Sequence, residues 1–315
     1  MPSVAISLVT WNSIEDLPAC LEAVSAQTYQ DLQLVATDNN SKDGSPEFIE
    51  QRCPDAVVTR NVENAGYCRA HNQAIGHTDT AFVLPLNPDV VLSPTYIETL
   101  VSALEDDRRS GTAVGKLLLP GGQVIDGAGL AINKSRRQYL RGHMQTDAGQ
   151  YSTREYVFGA DGAAPLFRRE MLEDVKFEDE YFDRDFFAHK EDLDLSWRAQ
   201  LLGWRCLYVP AAVAYHDRSF KPSSRRFMSD SVRKHAVKNR YLAIIKNDLP
   251  GSFLLHSPLI LLYDLALVGY LALFERSSMG AIPEAVRLIP TILRKRRVIM
   301  AKRQVPNKYM HRWFT

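Results

Sequence analysis

Residues 32–45 read LQLVATDNNSKDGS: a β-favouring run, Leu32–Thr37, passes into an unbroken cluster of turn formers, Asp38 to Ser45. The same arrangement recurs on either side. Upstream, Val4–Val9 (VAISLV) reads as a strand, and Leu17, Leu21 and Val24 follow at helical spacing. Downstream come a strand candidate at Ala56–Thr59, a helical stretch from about Asn64 to Ile75, and a fourth strand candidate at Thr80–Leu86. Strands separated by roughly 15–25 residues with helical periodicity between them predict an α/β fold, a mostly parallel sheet covered by helices. Ligands of such sheets collect at the carboxyl ends of the strands. Here those ends read TWN, DNNSKDGS, ENAGYCRAHN and NPD, all polar.

Past residue 110 the pattern changes. Gly and polar residues interrupt short apolar runs through 111–160, as hairpins in a more antiparallel region would. An acidic and aromatic loop then leads to Leu193, Trp197, Leu201 and Leu202 at helical spacing, which puts Glu191 and Asp192 at a helix N-terminus. The net charge of +1 conceals an asymmetry: residues 1–220 hold 20 Lys and Arg against 32 Asp and Glu, and residues 221–315 hold 18 against 5. We therefore divide the chain into a catalytic domain at 1–220 and a basic helical extension at 221–315, its helical pattern beginning near Phe227. Within the extension, 257–274 (SPLILLYDLALVGYLALF) is the most apolar run, at about the minimum length for spanning a bilayer. A charge at mid-span, Asp264, makes a helix lying in the membrane interface the better fit, with RKRRVIMAKR (294–303) on anionic headgroups. The alternative is a helix buried against the catalytic body or a second copy, so a homodimer stays open. The basic residues flank an apolar segment instead of interleaving with aromatics, which argues for lipid and against nucleic acid. Four scattered cysteines without a CxxC pair, and an N-terminus without a basic leader, fit a reduced cytoplasmic protein on the inner face of the membrane.

The polar strand ends offer a candidate for each part of a sugar transfer from a nucleotide diphosphate. Thr10, Trp11 and Asn12, with Asp38 and Asn40, suit a base and ribose, and Asp38 can accept the imide N–H of uracil or thymine. Asp38 and Asn40 suit plain turn capping equally well. Gly66 and Arg69 sit near a helix start, where amides and a cation favour phosphate, or else form a helix cap with a solvated Arg. Asp89, with Asn87 as a neutral neighbour, suits Mg²⁺ or Mn²⁺, since such ions often take one or two carboxylates and complete their shell with phosphate and water. His216 is a candidate second ligand. Asp192 or Glu191 is the candidate general base, although acids at a helix N-terminus also simply complement its dipole. The first βα turn, TWNSIED, lacks the GxGxxG of a dinucleotide-dependent oxidoreductase.

Six motifs now stand in order over residues 3–220: VTWN, DNNSKDGS, the Asn64–Asn72 stretch, LNPDV, the GADGA block with its following Arg-Arg, and HKEDLDLSWRAQLLGW with His216 downstream. Together they resemble the family 2 glycosyltransferases of GT-A fold, and most of all the bacterial rhamnosyltransferases of cell-wall and O-antigen assembly. KNRYLAIIKN (238–247) and the apolar segment after it are similar to that subgroup's membrane-proximal tail. The resemblance implies an inverting transfer from a nucleotide-activated sugar to a glycan or lipid-linked acceptor. By position it makes Asp192 the base and Asp89 the metal ligand, with His216 near metal and diphosphate. It puts Asp38 on the pyrimidine, Thr10 and Asn12 in the nucleotide pocket, and Asp161 and Gly162 on the acceptor side. The departure is Asn87, where much of the family has the first acid of Asp-x-Asp. Among relatives NPD accompanies dTDP-rhamnose, so the resemblance prefers that donor; UDP-hexoses and a non-catalytic scaffold are the alternatives.

Overall fold

The computed structural model describes residues 1–218 and 229–315. The expected division at 220 and the helical onset at Phe227 fall outside the described residues. The first half alternates as β1 (Val4–Thr10), α1 (Leu17–Ser25), β2 (Leu32–Asp38), α2 (Ser45–Arg52), β3 (Val57–Arg60), α3 (Gly66–Gly76), β4 (Phe82–Leu86), β5 (Val90–Leu92) and α4 (Tyr96–Asp106). Then come β6 (Ser110–Leu118), β7 (Ile125–Gly127), β8 (Leu130–Ile132), β9 (Gln138–Leu140), β10 (Glu155–Val157), β11 (Leu166–Arg168) and α5 (Arg169–Val175). The chain continues through α6 (Glu191–Leu201), β12 (Arg205–His216), α7 (Asp230–Asn247), α8 (Pro250–Phe274), α9 (Ala281–Lys302) and α10 (Asn307–His311).

The main sheet runs β10-β12-β6-β11-β4-β1-β2-β3. Its β3-β2-β1-β4 half is parallel throughout, and β11 is an antiparallel strand wedged between β4 and β6. Side-chain alternation gives the sheet two buried faces. On β4, Phe82, Leu84 and Leu86 join one core with α1 and α4, while Val83 points into the other with Cys68 and Ile75 of α3. Helices therefore cover both faces, as the strand spacing predicted. The hairpin-like pattern at 111–160 becomes the antiparallel pairs β6–β7, β8–β9 and β10–β12. The long β12 carries an irregularity between Tyr208 and Val213.

The extension does not stand apart. Leu242 of α7, Ile292 and Ile299 of α9, Met310 of α10 and Phe314 share one core with Phe158, Trp197 and Leu201. Burying an aliphatic side chain contributes about 1.5–3 kcal/mol, so this interface is part of what holds the second face together. The expectation that 294–303 presents its basic residues to headgroups is corrected for the inward half. Lys295 is buried against Glu180, Asp183 and Asp185, and Arg296 donates to the carbonyls of Ile245 and Lys246. A nine-tenths-buried cation needs paired carboxylates, and the acidic body supplies them; Arg294 and Arg297 remain on the outer face. The alternative of a buried 257–274 helix also fails within this chain. In α8 only Ser252, Ile260 and Leu271 are buried, and its exposed residues include Leu254, Leu261, Leu265 and Phe274.

Candidate active site

The carboxyl ends of β2, β1 and β4 lie side by side, because β1 pairs with both neighbours in parallel register. Thr10 Oγ1 donates to Asp38 Oδ1 at 2.9 Å, and the Ser41 amide donates to Asp38 Oδ2 at 2.9 Å. The turn-capping reading of Asp38 is thus realised, although a carboxylate oxygen has lone pairs to spare. Asn12 and Asn40 are left-handed, at φ 53° and 64°, a conformation that asparagine tolerates better than most residues. Asn12 bridges to the neighbouring turn: its amide donates to Ser41 Oγ, and its Oδ1 accepts from the Lys42 amide, both at 2.8 Å. Trp11, 58% exposed, presents an open aromatic face beside these turns.

Gly66 is explained by packing. At φ 79°, a Cβ there would meet the Phe187 ring at 2.6 Å. Its amide donates to Asn64 Oδ1 and that of Cys68 to the Phe187 carbonyl, so two of the first α3 amides already have protein acceptors. Arg69 is exposed on the same helix, and no partner for its guanidinium occurs among the described residues.

Beyond β4, the chain turns through Asn87-Pro88-Asp89, the Val90 amide returning to the Asn87 carbonyl at 3.2 Å. This turn opens on a cleft of about 580 Å³ lined by Asn87, Asp89, Asp161, Gly162, Glu191, Asp192 and His216. Seven of the residues singled out from sequence therefore share one cavity. The other seven, Thr10, Trp11, Asn12, Asp38 and Asn40 at the strand ends and Gly66 and Arg69 on α3, are not part of its lining.

His216 ends β12, and β12 pairs with β5, whose Val90 lies opposite it. Its Nδ1 is 2.8 Å from Asp126 Oδ2 and its Nε2 is 3.3 Å from Asp89 Oδ1. Since a carboxylate only accepts, Nδ1 carries a proton and Nε2 is the nitrogen facing Asp89. Burial opposes charge on this imidazole, but hydrogen bonds to Asp126 and Asp89 outweigh it and push its pKa up to about 9. Asp126 is itself buried, which would raise its pKa, yet His143, His216 and Arg218 hold it far below the usual carboxylate range. A carboxylate behind a histidine is the arrangement that fixes imidazole ligands to metals. Asp89 Oδ1 is buried and, apart from this imidazole, has no partner among the described residues. Once Nε2 has given up its proton, one carboxylate oxygen and one imidazole nitrogen fit a divalent ion whose shell is completed by phosphate and water. Among the described residues no group of three or more His, Cys, Asp or Glu could hold an ion unaided.

Across the cleft, Glu191 and Asp192 open α6. Glu191 is buried, and burial first, then the charge of Asp192, raises its pKa to about 8. Its Oε2 has no partner. Asp192 is half-buried; burial raises it to about 6, with the Leu193 amide and Gln138 pulling the other way. Gln138 Nε2 lies 3.1 and 3.0 Å from the two Asp192 oxygens. Burial thus raises both members of the pair, Glu191 further than Asp192, which leaves Asp192 the more readily ionised of the two. Asp161 is buried and raised by that burial, its Oδ1 accepting from the Ala163 amide at 3.0 Å. Gly162 keeps the wall thin: its carbonyl accepts from Tyr67 Oη at 2.8 Å, and a Cβ would approach that oxygen to 3.2 Å.

Asp126, Gln138, Arg218 and Tyr67 were not among the residues read from sequence. Arg218 stood two residues from His216 in VAYHDRSF, and Asp126 in a glycine-rich hairpin with no local chemical signal. Only the sheet brings Asp126 to His216, 90 residues away.

Acids and a histidine gathered beyond the strand ends lie where α/β sheets of this kind bind their ligands. The chain belongs to glycosyl transferase family 2, whose model matches residues 5–176, and it is a glycosyltransferase of GT-A fold. It is similar to the N-acetylglucosaminyl-diphospho-decaprenol L-rhamnosyltransferase of Mycobacterium tuberculosis, 28% identical over 247 residues, 70% of this chain and 76% of that one. Its fold resembles the mannosyltransferase PcManGT of Pyrobaculum calidifontis, solved with GDP-Man and Mn²⁺ (TM-score 0.56, 17% identity, 98% of this chain and 85% of that one). It also resembles GalNAc-T7 with UDP, GalNAc and Mn²⁺ (TM-score 0.58, 14% identity, 78% of this chain); the chain spans about half of that protein, 49%.

Proposed function

We propose that this glycosyltransferase is inverting and moves L-rhamnose from dTDP-rhamnose to a hydroxyl of a glycan or lipid-linked glycan, at the cytoplasmic face of the membrane. The observation that carries the reading is the shared cleft: Asp192 on one wall, Asp89 and His216 on the other. Asp192 takes the proton of the acceptor hydroxyl as its oxygen bonds to the anomeric carbon. The bond from that carbon to the diphosphate breaks on the opposite side, so one displacement inverts the centre. Glu191, protonated, keeps a second negative charge from the acceptor side. Asp161 and Gly162 shape the acceptor wall. Thr10, Trp11, Asn12, Asp38 and Asn40 receive the nucleoside at the strand ends, and Arg69 is the free cation beside the diphosphate path.

Asp89 and His216 would hold Mg²⁺ or Mn²⁺, with an imidazole ligand favouring Mn²⁺. Bound there, the ion would stabilise charge on the departing diphosphate. Asn87 in place of a second acid leaves that site dependent on the donor for completion. The rhamnose donor rests on the Asn87-Pro88-Asp89 pattern and on likeness to the mycobacterial rhamnosyltransferase. The membrane setting rests on α8, whose outward leucines form an unpartnered apolar face.

Thermal shift with dTDP-rhamnose, UDP-glucose, UDP-galactose and UDP-GlcNAc, each with Mn²⁺, tests the donor; greater stabilisation by a UDP-sugar would replace it. Asp192→Asn should cut transfer by about 10²–10⁴-fold while nucleotide binding persists. Full activity in that variant would remove Asp192 as the base.

A further inference from the structure

Just ahead of α6, Phe187, His189 and Lys190 all have positive φ, at 65°, 67° and 65°. Residues with a Cβ hold such conformations only where their surroundings enforce them. The enforcing group comes from the motif KNRY on α7. The carbonyl oxygens of Phe186, Ala188 and His189 converge on Asn239 Nδ2, at 2.8, 2.9 and 2.6 Å. Asn239 is fully buried. Its neighbours act on the same segment: Lys238 Nζ donates to the Asp185 carbonyl at 2.7 Å, and the His235 ring stacks on Phe187 with centroids 4.9 Å apart. Ala236, on the same helix, lines the cleft.

We infer that Asn239 is a positioning residue for the transfer, its amide holding the backbone that presents Glu191 and Asp192, so that α7 belongs to the catalytic unit. The inference rests on Asp192 being the base. Only a side chain with two N–H donors and no charge suits this spot. A carboxylate would repel the three carbonyls, and an alanine would leave them buried and unpaired. The nucleotide turns at the ends of β1 and β2 lie on other elements, so displacement of Asp192 should appear in kcat and not in donor affinity.

The test compares Asn239→Asp, Asn239→Ala and Asn239→Ser in the full chain. Folding is monitored by circular dichroism and melting, nucleotide affinity by titration with dTDP and UDP, and kcat by transfer or donor hydrolysis. Asn239→Asp and Asn239→Ala should lose on the order of 10–10² in kcat, as small misplacements of a reacting group do. Affinity should stay within about twofold, and Asn239→Ser, which retains one donor, should recover part of kcat. Wild-type kcat in folded Asn239→Ala or Asn239→Ser would overturn the inference, as would a kcat that merely tracks the folded fraction. Asp192→Asn run alongside separates the two readings: its full activity sinks the base assignment, whereas an inactive Asp192→Asn with fully active Asn239 variants sinks this one.

Discussion

At the scale of single residues, the cleft sorts two adjacent acids into different protonation states by burial. Asp192, raised to about 6 and opposed by Gln138, is half ionised near that pH. The kcat/KM profile should therefore fall tenfold per unit below about pH 6 as the base gains its proton. Because the Gln138 amide favours the ionised form, Gln138→Leu should move that acid limb to higher pH; an unmoved or lowered limb would contradict the assignment. Glu191 gives the complementary prediction. Its folded pKa of about 8 exceeds its ordinary 4.5. Between those values the unfolded chain releases a proton that the native state keeps, so stability attributable to Glu191 declines as pH rises. The melting temperature of Glu191→Gln relative to the parent should accordingly climb from near zero difference below pH 4.5 to a plateau above pH 8. A difference that is flat with pH would show that Glu191 ionises normally.

Among the elements, α8 departs most from the behaviour of a soluble helix. It has 25 residues and is long and apolar enough to cross a membrane, yet Asp264 accepts from Arg240 Nε at 2.9 Å and ties one side to α7. The opposite side carries leucines that are up to 72% exposed. One side tethered to α7 and a free apolar face are compatible with the membrane contact proposed above. The outer face of α9 adds Arg287, Arg294 and Arg297 alongside Val286, Leu293 and Val298. Leu261→Glu with Leu265→Glu should abolish flotation with anionic vesicles and leave the melting temperature within a few degrees. Unchanged flotation would remove the membrane assignment, and a shift from dimer to monomer would reassign the face to a second copy. These substitutions are preferable to deleting 250–315, because that segment contributes Ile292, Ile299 and Phe314 to the shared core.

For the whole molecule, the opposed charges of the body and the extension are complementary surfaces that meet. Lys246 pairs with Asp183 and Asp194, and Lys295 with Glu180, Asp183 and Asp185, all buried except the half-buried Asp185. Removing one partner of a buried pair strands the others, typically at a cost of about 3–5 kcal/mol. Lys295→Ala should lower unfolding stability in urea by about that amount. Loss under 1 kcal/mol would mean that the network is solvated and contributes little. The same network stands directly before the segment that Asn239 holds, and Lys246 and Asn239 both belong to α7.

Strand spacing and the polar strand ends determined the α/β sheet and marked Asp89 as a candidate, helical period put Asp192 at a helix N-terminus, and resemblance singled out His216, because alternation, helical period and turn chemistry are local properties of the chain. The site's supports were not legible in that way. Asp126 reaches His216 across 90 residues, Gln138 reaches Asp192 across 54, and Asn239 reaches His189 across 50. Their roles depend on pairings between distant strands and helices that no local pattern encodes. Burial likewise decided which adjacent acid is ionised, and which lysines of a basic tail face carboxylates instead of solvent. The segment's charge could be counted from the sequence, but its direction was set only by packing.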